Sequence, residues 1–308
     1  QHGVDSRVNE HKLLRFVITG NDRPGIVREL SSVIKHKGTN IVHFESSKQS
    51  APNWGVPLFN AIATVELPEG LNKDEVVRAL EDIASDVMVE ILGTTRADET
   101  VVLGGHLDSI APGTIEGSRA PGADDNASGI ASLTEVIRVM MAGGYRPSRT
   151  LRFIAYAAEE VGLRGSGEIA ADFLGRADKV VGVMQLDMTA FQGDSTDIWL
   201  YTDYTNAAQN AFLATLVSRY LPGYTVGYSA CGYACSDHAS WHTRGFRASF
   251  PHEASNANYN RAIHTVDDVT AIFGNDPQHM LKFTKLALVY AVELGTLPRG
   301  SRGALAAR

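Results

Sequence analysis

Residues 101–125, VVLGGHLDSIAPGTIEGSRAPGADD, decide how the chain is read. They open with a short apolar run, the pattern of a buried strand. The run delivers His106 at its carboxyl end, with Asp108 two residues on, and a Gly/Pro/Ser-rich loop leads to Asp124-Asp125. NASGIASLTEVIRVMMAG then reads as a helix that starts at a polar cap. A His and carboxylates gathered at the mouth of a parallel sheet point to a metal site.

The rhythm continues downstream. TLRFIAYAAEE is an apolar strand ending in Glu159-Glu160, and GLRGSGEIAADFLGRA reads as a helix. KVVGVMQLDM is a strand ending near Asp187, and DIWLYTD another. YTNAAQNAFLATLVSRYL is a long amphipathic helix, SDHASWHTRG a short helical segment and FRASFPHE a strand. ASNANYNRAIHTVDD is a loop carrying His264, and PQHMLKFTKLALVYAVELG a closing helix. Alternating strands and helices predict an α/β domain over residues 96–297, a mostly parallel sheet with helices on both faces. His106, Asp124, Glu160, Asp187 and His264 are five N/O ligands at strand ends and in loops. That number suits two zinc ions if one carboxylate bridges them.

Composition narrows the function classes. A formal charge of −7 argues against a nucleic-acid binder, whose phosphate contacts need a basic face. No apolar run approaches the ~20 residues that cross a bilayer, and no signal peptide is visible. Cys231 and Cys235, in CGYAC, lack the neighbours of a structural zinc site. They suit a small-ring disulfide, which implies an oxidising compartment. The other reading is two reduced, packed cysteines. Ser236-Asp237-His238 has the residue types of a catalytic triad, but sequence neighbours cannot form its geometry. The sequon Asn126-Ala127-Ser128 lies against the expected metal site and is discounted.

Residues 1–11 read as a disordered tail and 298–308 as a loose one. Residues 12–95 form a separate module in which LLRFVITG, NIVHFESSKQS, PLFNAIATVELPEG and VMVEILGTT read as strands. IVRELSSVIKHKG and LNKDEVVRALEDIASD read as helices, giving the βαββαβ ferredoxin-like order. VMVEILGT can close this module or serve the large sheet. VITGNDRPGIVRELSSVI, NIVHFESS, PLFNAIATVELPEG and IASDVMVEI resemble an ACT domain of the glycine-cleavage-system repressor type. The resemblance implies a site for free amino acids around Asp22, Arg23, Pro24 and Gly25; the bland reading is a module that only folds and packs.

GGHLDS, PGADDNASG, FIAYAAEEVGLRGS, QLDM, CGYACSDHASW and IHTVDD resemble the M28 zinc aminopeptidases of the bacterial leucyl type, over residues 99–295. This implies a secreted or periplasmic enzyme with two zinc ions acting on peptides. His106 and Asp187 match the ligands of one zinc, and Glu160 and His264 those of the other. Asp124 matches the bridge, joined to Asp125 by a cis peptide bond. Glu159 matches the general base and Tyr233 a stabiliser of the oxyanion. Asp108 matches the residue that orients the metal-bound imidazole. Met188, Cys231, Tyr233, Cys235, His252, Tyr259 and Ile263 match the substrate pocket. His252 and Asn256 stand where close relatives often carry Phe, which makes that pocket more polar. Two alternatives accompany this reading: a related single-zinc glutaminyl cyclase, and an amino-acid-sensing protein with a peptidase-like scaffold.

Overall fold

The computed structural model describes residues 12–21, 26–36, 38–50, 57–67, 86–112 and 119–296. The chain divides into two compact units, Gln1–Val89 and Glu90–Arg308.

The first unit holds β1 (Lys12–Asn21), α1 (Ile26–His36), β2 (Asn40–Ser50) and β3 (Pro57–Leu67). β4 (Asp86–Ile91) carries the border between the units. On β1, Leu14, Phe16 and Ile18 are buried and alternate with less buried neighbours, the period-2 pattern of a half-buried strand. They sit opposite Val65, Ala63 and Ala61 of antiparallel β3, so large side chains face smaller ones. β2 pairs with the other edge of β3, its register shifting between Ile41 and His43 where Val42 turns outward. Leu30 and Ile34, four apart on α1, are buried. The helix stops near Gly38, whose φ of +73° is the left-handed conformation that glycine adopts without a Cβ penalty. The expected helix over residues 71–86, but for Asp86, which opens β4, and the turn holding Asp22, Arg23, Pro24 and Gly25 lie outside the described residues.

The second unit runs through β5 (Arg96–His106), α2 (Ala127–Ala142), β6 (Arg149–Tyr156), α3 (Arg164–Gly175) and β7 (Lys179–Gln185). It continues with β8 (Ile198–Tyr201), α4 (Ala207–Tyr220), β9 (Val226–Ser229), α5 (His238–His242), β10 (Ala248–Ser249) and β11 (Pro251–His252). A 3-10 turn, Thr270–Phe273, and α6 (Met280–Thr296) close it. β10, β7, β5 and β6 are parallel neighbours in that order. β11, β8 and β9 form a second, three-stranded sheet.

Val101, Val102 and Leu103 of β5 are fully buried because both faces of the sheet are covered. On one face Gly104 lies against Tyr156, whose hydroxyl accepts a hydrogen bond from Trp241 Nε1 at 2.8 Å. Trp241 meets Phe173 of α3 edge to face at 5.0 Å. On the other face Gly105 looks toward Asn126 and Ile130 at the start of α2. A Cβ at residue 104 would overlap the Tyr156 ring and hydroxyl. Gly104→Ala is therefore expected to cost about 1–3 kcal/mol through overpacking, read as a lowered denaturation midpoint. A midpoint equal to that of the wild type would show that the Tyr156–Trp241 layer yields freely.

One expected strand is divided. FRASFPHE contributes Ala248–Ser249 to the parallel sheet and Pro251–His252 to the second sheet. Pro251 has no N–H to extend the first ladder, so the chain changes partner around Phe250.

Candidate metal centre

The site is assembled at the carboxyl ends of the parallel strands, where α/β sheets place their ligands. His106 is the last residue of β5; Glu159 and Glu160 follow β6 and Asp187 follows β7. The loop before α2 supplies Asp124 and Asp125, and the loop before the 3-10 turn supplies His264.

The His106 ring has a defined polarity. Its Nδ1 lies 2.9 Å from the Asp108 carbonyl oxygen, which only accepts, so Nδ1 carries the proton. In the neutral ring Nε2 then presents a lone pair. That lone pair faces Asp125 Oδ1 at 3.0 Å and Asp187 Oδ1 at 3.3 Å. His264 repeats the arrangement: its Nε2 is 3.0 Å from Asp125 Oδ2 and 2.9 Å from Glu160 Oε2. A lone pair and anionic oxygens held this close repel one another unless a cation joins them. Glu160 Oε1 is buried with no hydrogen-bond partner, and His106, Asp125 and Glu160 bring ligand atoms within 4.8 Å of one another. The donor set, imidazole nitrogens and carboxylate oxygens, is one that zinc accepts.

In the absence of metal, protons take the cation's place. The Asp125 and Glu160 carboxylates push the His264 pKa up to about 10. Burial opposes a charge on His106, but Asp187 and Asp125 together raise its pKa well above the ordinary value. Burial likewise opposes ionisation of Asp125, yet the two imidazoles hold it far below the carboxylate range. Glu159 goes the other way: burial, then Asp187, Asp237 and Asp125, push it up to about 10 against the pull of His106.

Asp124 does not occupy the place expected of it. Asp125 sends one oxygen toward each imidazole, and the cis peptide bond is Asp125–Asn126, one residue later than expected. Asp124 is fully buried behind the cluster, accepting from the Ala190 amide at 3.1 Å and Asn260 Nδ2 at 3.0 Å. Burial pushes its carboxyl up to about 6 against a hydrogen bond from Glu253, itself raised well above normal by burial and by Asp124. Neighbouring side chains of an irregular segment point different ways, and only the fold decides which of two adjacent aspartates meets the imidazoles.

Asp108 meets His106 through its carbonyl; its carboxylate is 3.7 Å from Nδ1. That carboxylate accepts from the Glu159 amide at 3.0 Å and the Glu160 amide at 3.1 Å, fixing the acidic pair. Asp187 Oδ2 is held by the Ser236 hydroxyl at 2.6 Å. Asn126 caps α2 through the Gly129 amide, and the amide of Met188 also reaches its Oδ1.

Cys231 and Cys235 are joined in a disulfide that encloses Tyr233, which is exposed. Asp203 accepts from the Cys231 and Gly232 amides and fixes the start of that ring. Burial and then Tyr259, Glu159, Asp187 and Asp125 raise the Tyr233 pKa, placing its phenol in the field of the cluster. Of the other expected pocket residues, Met188 and His252 are buried, the latter tilted against Tyr201 and edge to face with Phe250. Tyr259 lies under the Arg261 guanidinium at 3.8 Å, and Ile263 precedes His264. Sequence reasoning missed Asp125 as the shared carboxylate, and it missed Glu253, Asn260 and Asp268. Asp125 and Asp268 belong to quoted motifs, whereas Glu253 and Asn260 carry no spacing signal.

Comparisons with known proteins fit this site. Residues 86–290 match the model of peptidase family M28. A probable leucine aminopeptidase of Trichophyton verrucosum is 33% identical over 290 residues, covering 92% of this chain and 74% of its own length. The LapA aminopeptidase of Legionella pneumophila superposes with a TM-score of 0.64 at 29% identity. The match covers 89% of this chain and 64% of the LapA chain, just under two thirds of that protein. A glutaminyl cyclase of Porphyromonas gingivalis, at 13% identity and a TM-score of 0.57, shares the fold, with 86% of this chain and 88% of its own covered. At 92% coverage the fungal match takes in part of the amino-terminal unit as well, and no comparison supports an ACT assignment for it.

Proposed function

The chain belongs to peptidase family M28, and from that premise we propose that it is a zinc-dependent aminopeptidase that hydrolyses the amino-terminal peptide bond with two zinc ions. One observation carries the reading: a single carboxylate, Asp125, sends its two oxygens to two different imidazoles, each of which meets a further carboxylate. His106 and Asp187 would hold one zinc, His264 and Glu160 the other, with Asp125 between them.

When bound, the metals supply a low-pKa water and polarise the scissile carbonyl. The chain's own residues do the rest. The Asp108 carbonyl keeps the proton on His106 Nδ1, so that Nε2 stays free to coordinate. Glu159 takes a proton from the attacking water and returns it to the leaving amine. The Tyr233 hydroxyl donates to the developing oxyanion from the disulfide-closed loop. Met188, Tyr259, Ile263 and His252 surround the first side chain of the substrate, and the disulfide of Cys231 and Cys235 forms one wall. The Cys231–Cys235 bond suits a secreted or periplasmic protein, and no helix among the described residues is long and apolar enough to cross a membrane.

Elemental analysis of protein purified without chelator, combined with hydrolysis of an aminoacyl-anilide panel, tests the proposal. Two zinc ions per chain and release of the free amine are expected. One tightly held zinc, with cyclisation of amino-terminal Gln in place of hydrolysis, would instead support the glutaminyl cyclase reading.

A further inference from the structure

Asp268 is almost fully buried, and its carboxylate accepts hydrogen bonds from main-chain amides. Oδ1 accepts from the Asp124 amide at 3.1 Å and Oδ2 from the Asp125 amide at 3.1 Å. Its carbonyl oxygen accepts from the Ala123 amide at 3.0 Å. Three consecutive amides, 123 to 125, are thus tied to one residue. Four positions earlier on the same loop, His264 meets the Asp125 side chain at 3.0 Å. The loop between them is a tight turn, closed by Thr265 Oγ1 to the Ala262 carbonyl and by the Asp267 amide to Thr265 Oγ1. Residues 264–268 therefore grip Asp125 at both ends, its carboxylate through His264 and its backbone through Asp268. The arrangement parallels Asp108, whose carboxylate holds the amides of Glu159 and Glu160.

We infer that Asp268 is a positioning residue for the shared metal ligand: its carboxylate sets the backbone of Asp125 so that one carboxylate spans two zinc ions. The inference rests on the dizinc reading above. A bridging carboxylate must meet two acceptor positions at once, so small rotations of its backbone cost more than they would for a terminal ligand. A carboxylate offers acceptors to both amides, whereas an amide side chain in its place turns a donor toward one of them.

The test is zinc affinity, measured on the full-length chain by competition with a chelator. Asp268→Asn is expected to bind zinc about 10–100-fold more weakly, the usual cost of losing a group that orients a metal ligand. Its turnover is expected to recover as zinc is raised, which a merely misfolded chain would not do. Asp267→Asn, an exposed neighbour, is expected to bind zinc as the wild type does. If Asp268→Asn does not fold, Asp268→Ser, which keeps one acceptor, carries the same expectation. A folded Asp268 variant with wild-type zinc affinity overturns the proposal, as does lost turnover that added zinc does not restore. Failure of the dizinc reading looks different: the wild-type chain would itself hold one zinc ion, whatever residue stands at 268.

Discussion

Glu159→Gln is expected to lower kcat by about 10²–10⁴-fold, the range that a positioned general base contributes, while both zinc ions stay bound. Glu159 is not among the residues whose ligand atoms meet the two imidazoles, so its removal leaves the proposed donor set whole. Gln keeps the size and the backbone amide that Asp108 holds, and it loses only the ability to take a proton. Burial and three neighbouring carboxylates push Glu159 up to about 10 in the metal-free chain. Two cations among those carboxylates lower it, because they cancel the negative field that raises it. On the proposed mechanism, Glu159 is therefore competent as a base only with zinc bound. Kinetics and elemental analysis of the same preparation decide the matter: normal turnover would assign the base elsewhere, and loss of zinc would make Glu159 a ligand.

Asp125→Ala is expected to have the other large effect, loss of both zinc ions under conditions that saturate the wild type, and of turnover with them. Asp124→Asn is expected to keep both. The contrast follows from the geometry: Asp125 meets both imidazoles, whereas Asp124 is engaged behind them with Ala190, Asn260 and Glu253. Zinc uptake should also release protons, because His264, raised to about 10, is protonated in the metal-free chain at neutral pH and must give up that proton to coordinate. Zinc affinity is accordingly expected to rise with pH through the neutral range. Calorimetry in buffers of different ionisation enthalpy measures the released protons. Equal zinc loss in the Asp124 and Asp125 variants would remove the distinction between the two aspartates.

Much of the second unit was legible from pattern alone. Apolar runs such as residues 101–105 read as strands because both their faces are covered, and α6 read as a helix because Phe283, Ala287, Tyr290, Ala291 and Leu294 recur on one face. The places where His106, Glu159, Glu160 and Asp187 fall, at strand ends, followed from the same reading, since strand length fixes where a side chain emerges. His264 was legible only through its motif, because a loop has no period. What the tertiary structure decided lies in steps of one residue. Asp124 and Asp125 are chemically equal neighbours in a segment without periodicity; contacts with residues 186–190 and 253–268, far along the chain, turn one toward the imidazoles and the other away. For the same reason the roles of Glu253, Asn260 and Asp268 were not legible: a buried polar side chain has no spacing of its own, and its role exists only once the fold brings its partners to it.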